Sequence, residues 1–390
     1  MRGILKWGLR ILLALVLAAV VVGVWKREEI SRLMAVNSLF DEAKIVDNFS
    51  NMDRAFLTAE VSRGDGPVSP LPKGQEIAPP QEFAAWVEAR DVTSLLVLKN
   101  GQIVFEDYYL GTGPDDLRIS WSIAKSYISA LFGVLVDEGA IASIDDPVTK
   151  YAPRLAGTAY DGASVRNVLN MASGVVFNED YFDYNSDINR MGRVIAMGQA
   201  LDDFTVELQD TFATPGAQWQ YVSIDTHVIG MIIRGATGRS VADLLSEKII
   251  QPLGTEKSAY YLTDGDGVAF VLGGLNITTR DYARFAQMIL QDGAWQGQQI
   301  VPAAWLAAST VPSAPTEEGK IQYGYQWWIP ADARPGEVLA RGVYGQFLYL
   351  DRARETVVVV TAADHEFREK PVYDSMMDMF RTLADVAEGQ

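Results

Sequence analysis

Predicted strands occur in two groups, one before and one after a long helical stretch, and this split is the strongest constraint on the fold. The first group is a hairpin closed by Asn100-Gly101, a dipeptide typical of tight two-residue turns. Helical pattern then runs from Ser122 to about Leu290, and strand pattern returns after it. The predicted strands are residues 94–98, 103–105, 347–350 and 356–361.

Strands that begin before a helical block and resume after it predict one α/β (α+β) domain with an all-helical part inserted. We expect an antiparallel sheet flanked by helices, with a last helix at about residues 372–386. Many Pro and Gly residues between residues 64 and 80 indicate an extended linker. The predicted organisation is a membrane or signal segment at 1–27, a helical stem and linker at 28–80, and a catalytic domain at 81–390 with its α/β part at 81–118 and 295–390 and its helical part at 119–294.

The N-terminal segment has the composition of a membrane-targeting sequence. Basic residues flank the apolar run from Ile11 to Trp25. Fifteen helical residues span about 22 Å, less than the roughly 30 Å of a bilayer core, so spanning requires the flanking cations to reach the interfaces. An uncleaved anchor through residues 4–25 and a cleaved signal peptide both remain open. The first predicts a membrane-anchored catalytic domain on the periplasmic or extracytoplasmic side, and the second a secreted one.

Composition excludes several classes of function. The net charge of −17 disfavours nucleic acid as a partner. The absence of cysteine excludes thiol nucleophiles and zinc–thiolate sites, and two histidines are too few for most metal centres. The sequence therefore predicts no metal and no cofactor. It also has no G-x-S-x-G motif, so a serine nucleophile would need a base other than the usual histidine.

Ser122 and Lys125 form an S-x-x-K motif at the start of an apolar stretch that ends near Gly139. The spacing puts the amine and the hydroxyl on the same face of a helix, one turn apart, where a neutral lysine can deprotonate the serine. A serine in the first helical turn also lies near free backbone N–H groups, which stabilise an oxyanion. Alternatively, the two residues simply solvate the start of a helix.

Two later segments extend this pattern. Tyr221 follows a Pro215-Gly216 turn and precedes an apolar helix, a position where a tyrosine by itself is more often part of the core. Residues 340–346 immediately precede a predicted strand.

In combination, these segments resemble the serine β-lactamase-like superfamily, which has the class C β-lactamase and penicillin-binding-protein fold. Within it the chain is most similar to 6-aminohexanoate-dimer hydrolases and related carboxylesterases, over about residues 85–365. The supporting segments are residues 120–122, 160–163, 169–174, 178–181, 273–276 and 342–346.

The resemblance implies that Ser122 is the nucleophile, Lys125 accepts its proton, and Tyr221 relays a proton to the leaving group. It implies an oxyanion hole from the backbone N–H groups of Ser122 and Val343, and a tyrosine on a mobile loop at Tyr181. The substrate is then a small amide or carboxylic ester. The residues expected to bind it are Tyr181, Ser223, Trp327, Arg341, Gly342, Tyr344, Gly345 and Gln346.

The third motif departs from the superfamily pattern. Ala340-Arg341-Gly342 stands where Lys-Thr-Gly grips the carboxylate of penicillins and cell-wall peptides, which makes β-lactamase or transpeptidase activity less expected. Arg341 either pairs with a substrate carboxylate or is a solvated strand residue. A D-amino-acid peptidase or penicillin-binding enzyme, and a non-catalytic scaffold of the same fold, are the competing hypotheses.

Overall fold

The computed structural model describes residues 2–389. Its helices are α1 Arg2–Trp25, α2 Arg27–Asn37, α3 Ile45–Ser50, α4 Phe83–Ala89, α5 Ala124–Asp137, α6 Val165–Leu169, α7 Asp187–Ala196, α8 Leu201–Val206, α9 Ile224–Thr237, α10 Val241–Leu245, α11 Gln251–Leu253, α12 Thr279–Leu290, α13 Ala303–Ser309 and α14 Lys370–Glu388. Its strands are β1 Leu57–Val61, β2 Val92–Lys99, β3 Gln102–Tyr108, β4 Arg118–Ile119, β5 Ala259–Thr263, β6 Leu275–Ile277, β7 Ala294–Trp295, β8 Gln298–Gln299, β9 Gln322–Gly324, β10 Trp327–Ile329, β11 Glu337–Gly342, β12 Gln346–Asp351 and β13 Thr356–Ala362.

The largest sheet of residues 2–389 is antiparallel and has seven strands in the order β3-β2-β13-β12-β11-β10-β9. The early hairpin β2–β3 thus pairs with the late strands, as the split sequence pattern predicts. Asn100 and Gly101 both have positive φ, the conformation that the hairpin turn requires. The predicted fold class is confirmed.

Apolar residues on both faces of β2 explain why it lies inside the molecule. Leu95 and Val97 pack with Phe380 of α14 on one face of the sheet. Leu96 and Leu98 belong to the larger core on the other face, which includes α5 and α12. A strand with a continuous apolar run is stable only when both of its faces are covered.

A second sheet, which the sequence pattern did not predict, lies within the helical part. Its four strands are in the order β1-β5-β6-β4, so the region 119–294 contains short strands as well as helices. Strand β1 comes from the segment expected to be a stem and pairs with β5 along its whole length. The strands are short, and that is why a helical pattern dominates this part of the sequence.

Residues 28–80 pack against the catalytic domain, whereas the sequence predicted a stem and an extended linker. Phe49 and Met52 are completely buried in the larger core. The Pro- and Gly-rich stretch has almost no regular structure, yet Ile77 is 3% exposed and its N–H donates to the Val104 carbonyl. This segment follows the surface of the domain and contributes apolar side chains to it.

Helix α1 is exposed from Gly3 to Trp25, except at Gly23, which is half-buried. Residues Gly3–Trp25 form a helix that is long and apolar enough to cross a membrane. A signal sequence near an N-terminus has the same length and apolar composition. The helix includes residues before Ile11, so it is longer than the uninterrupted apolar run.

Candidate active site

Ser122 and Lys125 lie at the junction of the helical part with the seven-stranded sheet. A short 3₁₀ turn, Trp121–Ile123, leads directly into α5, so both side chains point from the first turns of the same helical segment. Lys125 Nζ donates to Ser122 Oγ over 2.9 Å. The one-turn spacing of the sequence motif therefore produces a direct contact.

The Lys125 side chain is 1% exposed and its ammonium group has three acceptors. Besides Ser122 Oγ, Nζ donates to the Leu272 carbonyl over 2.6 Å and to Ser223 Oγ over 3.2 Å. Burial lowers the pKa of Lys125 to about 7, and the negative charge of Glu179 opposes this shift. The site thus accommodates the ammonium, while burial makes a neutral amine accessible near neutral pH.

Tyr221 and Ser223 reach the same point from the segment that precedes α9. The Tyr221 ring lies 5.2 Å from Lys125 Nζ and stacks on Trp328 at a centroid distance of 5.0 Å. Burial raises the pKa of Tyr221, while its interactions with the Ser122 and Ser223 hydroxyls lower it. The phenol therefore stays protonated and lies beside Ser122.

Glu179 connects these residues, although no sequence motif indicates a role for it. Its carboxylate accepts from Ser223 Oγ over 2.5 Å, from the Ser223 N–H over 2.9 Å and from the Tyr181 hydroxyl over 2.6 Å. The sequence offers one signal for it, a carboxylate two residues before Tyr181. Its contact with Ser223 depends on how the 178–186 loop folds, which no local pattern reveals.

The end of β11 passes close to the backbone of the candidate nucleophile. A Cβ built on Gly342 would lie 2.6 Å from the Ser120 carbonyl oxygen and 3.1 Å from the Ser122 nitrogen, so only glycine fits there. Val343 follows immediately and lines the same cavities as Ser122. This approach brings the two backbone segments expected to form an oxyanion hole side by side.

Gly345 and Gln346 follow this segment and line neither of the two cavities at Ser122. Gln346 is 1% exposed, and its amide nitrogen donates to the carbonyls of Val343, Tyr344 and Ala362. Gly345 has a φ of +84° and lies against Ala362. Both were expected to bind substrate. In the structure they instead stabilise the turn at Val343.

Tyr344 is likewise a packing residue, contrary to its expected role in substrate binding. It is 4% exposed, and its ring stacks on Phe40 of the N-terminal segment at 4.8 Å. Phe367 contacts the same ring at 4.7 Å. Tyr344 therefore attaches residues near α2 to the floor of the site.

The expectation for Trp327 is also corrected. Trp327 is completely buried and lies against Phe285 of α12, whereas its neighbour Trp328 lines the cavity beside Tyr221. Successive residues of a strand point to opposite faces, so the two tryptophans cannot both face the site. Arg341 lines the same cavity as Trp328, and its guanidinium carbon lies 4.9 Å from the centre of the Trp328 ring.

Two cavities meet at Ser122. One of about 290 Å³ is lined mainly by apolar side chains, and one of about 270 Å³ contains Tyr221, Trp328 and Arg341. Tyr181 lines both cavities. Ser122 is therefore accessible to a ligand from two directions.

Within residues 2–389, no group of three or more His, Asp or Glu side chains is arranged to hold a metal ion. His227 is buried on α9, and its Nε2 lies 2.9 Å from Asp202 Oδ1. Arg234 donates to the same carboxylate oxygen over 2.6 Å. This cluster joins α8 to α9 and lines neither of the cavities that contain Ser122.

The seven-stranded sheet, the helical part and the serine–lysine pair between them define the class of β-lactamase-fold serine hydrolases. The family model for Beta-lactamase matches residues 83–375. The chain therefore belongs to the Beta-lactamase family, and the resemblance identified from its motifs is confirmed.

Similar proteins include amide hydrolases. The 6-aminohexanoate-dimer hydrolase of Paenarthrobacter ureafaciens is 32% identical over 328 residues, which cover 80% of this chain and 83% of that protein. A Bacillus anthracis structure assigned as a 6-aminohexanoate-dimer hydrolase has a TM-score of 0.79 at 24% identity and covers 90% of this chain and 96% of its own. A D-stereospecific amidohydrolase from Streptomyces has a TM-score of 0.55 at 19% identity, with 76% and 98% covered.

Proposed function

We propose that this protein hydrolyses small linear amides or carboxylic esters through an acyl-enzyme formed on Ser122. The observation that carries the proposal is the 2.9 Å contact between Lys125 Nζ and Ser122 Oγ at the meeting point of two cavities. The Paenarthrobacter ureafaciens relative is named a 6-aminohexanoate-dimer hydrolase, and an amide bond joins two such amino acids, which supports the same reaction type.

In the proposed reaction, neutral Lys125 takes the Ser122 proton while Oγ attacks the acyl carbon. Tyr221 lies next to both groups and passes a proton to the leaving amine or alcohol. Water then attacks the acyl-enzyme, and the proton returns along the same path. Ser223 and Glu179 hold the lysine and the loop in position through the contacts described above.

The oxyanion of the tetrahedral intermediate would be stabilised by the N–H groups of Ser122 and Val343. Removing one such donor typically costs about 3 kcal/mol of barrier. The close approach of Gly342 to the Ser122 backbone supports this assignment. A side chain at position 342 would force the two donors apart.

A fluorophosphonate probe tests the nucleophile directly. We expect the full-length chain in detergent to be labelled on Ser122, as read by mass spectrometry of the tryptic peptide, because a serine beside a neutral amine is nucleophilic. Ser122→Ala should lose the label and the turnover of p-nitrophenyl acetate, while Ser129→Ala, a buried change later in α5, should keep both. Labelling of another serine would contradict the proposal, and capture of fluorescent penicillin at micromolar concentration would favour a penicillin-binding enzyme.

The pH dependence of kcat/KM follows from the lowered pKa of Lys125. The amine acts when neutral, so we expect kcat/KM to rise as pH increases through about 7 and to level off above it. Because the charge of Glu179 raises the pKa of Lys125, Glu179→Gln should move this rise of kcat/KM to lower pH. Ester hydrolysis between pH 5 and 9 measures both. A rate that shows no plateau and still rises steeply at pH 9 would show that Lys125 is an ordinary ammonium.

We also propose that α1 anchors the chain in a membrane with the catalytic domain on the extracytoplasmic side. The length and apolar character of Gly3–Trp25 and the basic residues that flank it support this placement. Extraction of the protein from membranes by detergent but not by alkaline carbonate would be the expected behaviour, and recovery in the soluble fraction would indicate a cleaved signal.

A further inference from the structure

The two cavities at Ser122 differ sharply in chemistry. They share Ser122, Tyr181 and Val343 as a common wall. A substrate with its scissile carbonyl at Ser122 therefore places its acyl half in one cavity and its leaving group in the other.

The larger cavity is suited to an uncharged acyl chain. None of its lining residues is Asp or Glu, and the one cation among them, Arg193, is engaged by the Tyr184 carbonyl at 2.7 Å and by the Tyr184 ring. One wall comes from the N-terminal segment, including Val36 at the end of α2 and Phe40. At about 30 Å³ per water-sized unit, the volume of about 290 Å³ holds roughly ten non-hydrogen atoms.

The smaller cavity carries positive charge. Arg341 and Arg368 line it, and its lining includes no carboxylate. Arg368 pairs with Asp180 outside the cavity at 2.7 Å. The Arg341 guanidinium lies near three aromatic rings, those of Trp328, Phe347 and Tyr373. Within residues 2–389 it has no carboxylate partner. A guanidinium that is surrounded by aromatic rings and has no anionic partner can bind an anionic group of a ligand.

The position of Tyr221 determines which half of the substrate enters which cavity. Tyr221 lines the cationic cavity and is absent from the wall of the apolar one. Because Tyr221 is the proposed proton donor to the leaving group, the leaving group belongs on the cationic side. The acyl chain then extends from Ser122 into the apolar cavity.

We propose that the preferred substrates join an apolar acyl chain of about eight to ten carbons, through an amide or ester bond, to a leaving group that carries a carboxylate held by Arg341. N-acylated amino acids are one such class. This inference rests on the proposed function. Ser122 Oγ bonds to the acyl carbon while its proton passes to Lys125. The C–N bond of an amide or the C–O bond of an ester breaks, and the amine or alcohol leaves with a proton from Tyr221, which Lys125 replaces. Water then attacks the acyl-enzyme, which releases the free fatty acid and restores the Ser122 hydroxyl.

The leaving-group preference is tested with N-octanoyl-β-alanine and N-octanoyl-propylamine, which differ only in the carboxylate. The full-length protein in detergent should hydrolyse the acid with a kcat/KM about tenfold or more higher, since a hydrogen bond to a charged group discriminates to about that extent. Arg341→Met should reduce this ratio to near one, and Arg341→Lys should retain part of it. Thermal melting followed by circular dichroism identifies any variant that fails to fold. In that case the leaving-group preference is judged from the wild-type ratio of the two kcat/KM values alone.

The acyl preference is tested with a series of N-acyl-β-alanines from acetyl to hexadecanoyl. We expect kcat/KM to rise up to about fourfold per methylene as far as octanoyl or decanoyl and then to stop rising. Val36→Trp should fill the cavity and move the optimum to shorter chains. Met34→Trp is the matched control on the same helix, because Met34 is 67% exposed and does not line the cavity, and it should leave the series unchanged.

Equal rates for the acid and the propylamide, together with a flat chain-length series, would overturn the substrate inference. Hydrolysis of p-nitrophenyl acetate and labelling of Ser122 would persist in that case, so the proposed function would stand. A wild-type protein that shows neither labelling nor ester hydrolysis would instead end the proposed function, and the substrate inference with it.

Discussion

A fragment that begins at residue 81 is expected not to fold, whereas a fragment that begins at residue 28 should fold and keep its activity. The difference lies in the apolar side chains that residues 28–80 bury in the rest of the molecule. They are Leu39, Ile45, Phe49, Met52, Ala55, Phe56, Val61 and Ile77. Burying a large apolar side chain contributes about 1.5–3 kcal/mol, so these residues together account for at least about 10 kcal/mol, as much as a typical total stability.

Loss of the same segment also leaves polar groups without partners. Arg118, 1% exposed, donates to the Val46 carbonyl over 2.7 Å and to Ser50 Oγ over 2.8 Å. Strand β5 would lose β1 and become an edge. Expression of both fragments followed by thermal melting measures the effect. Cooperative melting of the shorter fragment at the temperature of the longer one would show that residues 28–80 are dispensable.

Lys125→Met should reduce kcat/KM for p-nitrophenyl acetate by about 10²–10⁴-fold, the usual contribution of a general base. Methionine has nearly the same length as lysine and suits a buried position, so the change removes the amine with little effect on volume. The rise of kcat/KM near pH 7 should disappear with it.

Lys150→Met is the matched control, because Lys150 is a partly exposed lysine paired with Asp146 at 2.8 Å. It should leave kcat/KM and its pH profile unchanged. If Lys125→Met kept more than a tenth of the wild-type rate, another group would have to act as the base.

The sequence predicted the parts of the site that depend on local geometry. Ser122 and Lys125 are one helical turn apart, so any helix through them brings the pair together. The paired hairpin and late strands followed from their apolar runs and from the Asn100-Gly101 turn. Tyr221 is distant in sequence, and only the resemblance to a family brought it into the site.

The remaining parts of the site depend on tertiary packing. Alternation along β10 means that either Trp327 or Trp328 faces the cavity, and the residue pattern alone does not say which. The contact of Glu179 with Ser223 depends on the path of a loop. Phe49 lies in a segment whose mixed composition predicted a stem, and its burial follows only from how that segment packs on the rest of the molecule.

The wall of the apolar cavity begins at Val36, beyond the last residue of α1, Trp25. A protease that cut the chain directly after Trp25 would therefore release a body with its specificity pocket intact. With α1 as the proposed membrane anchor, the tethered and shed forms would then select the same molecules and would differ only in where they encounter them.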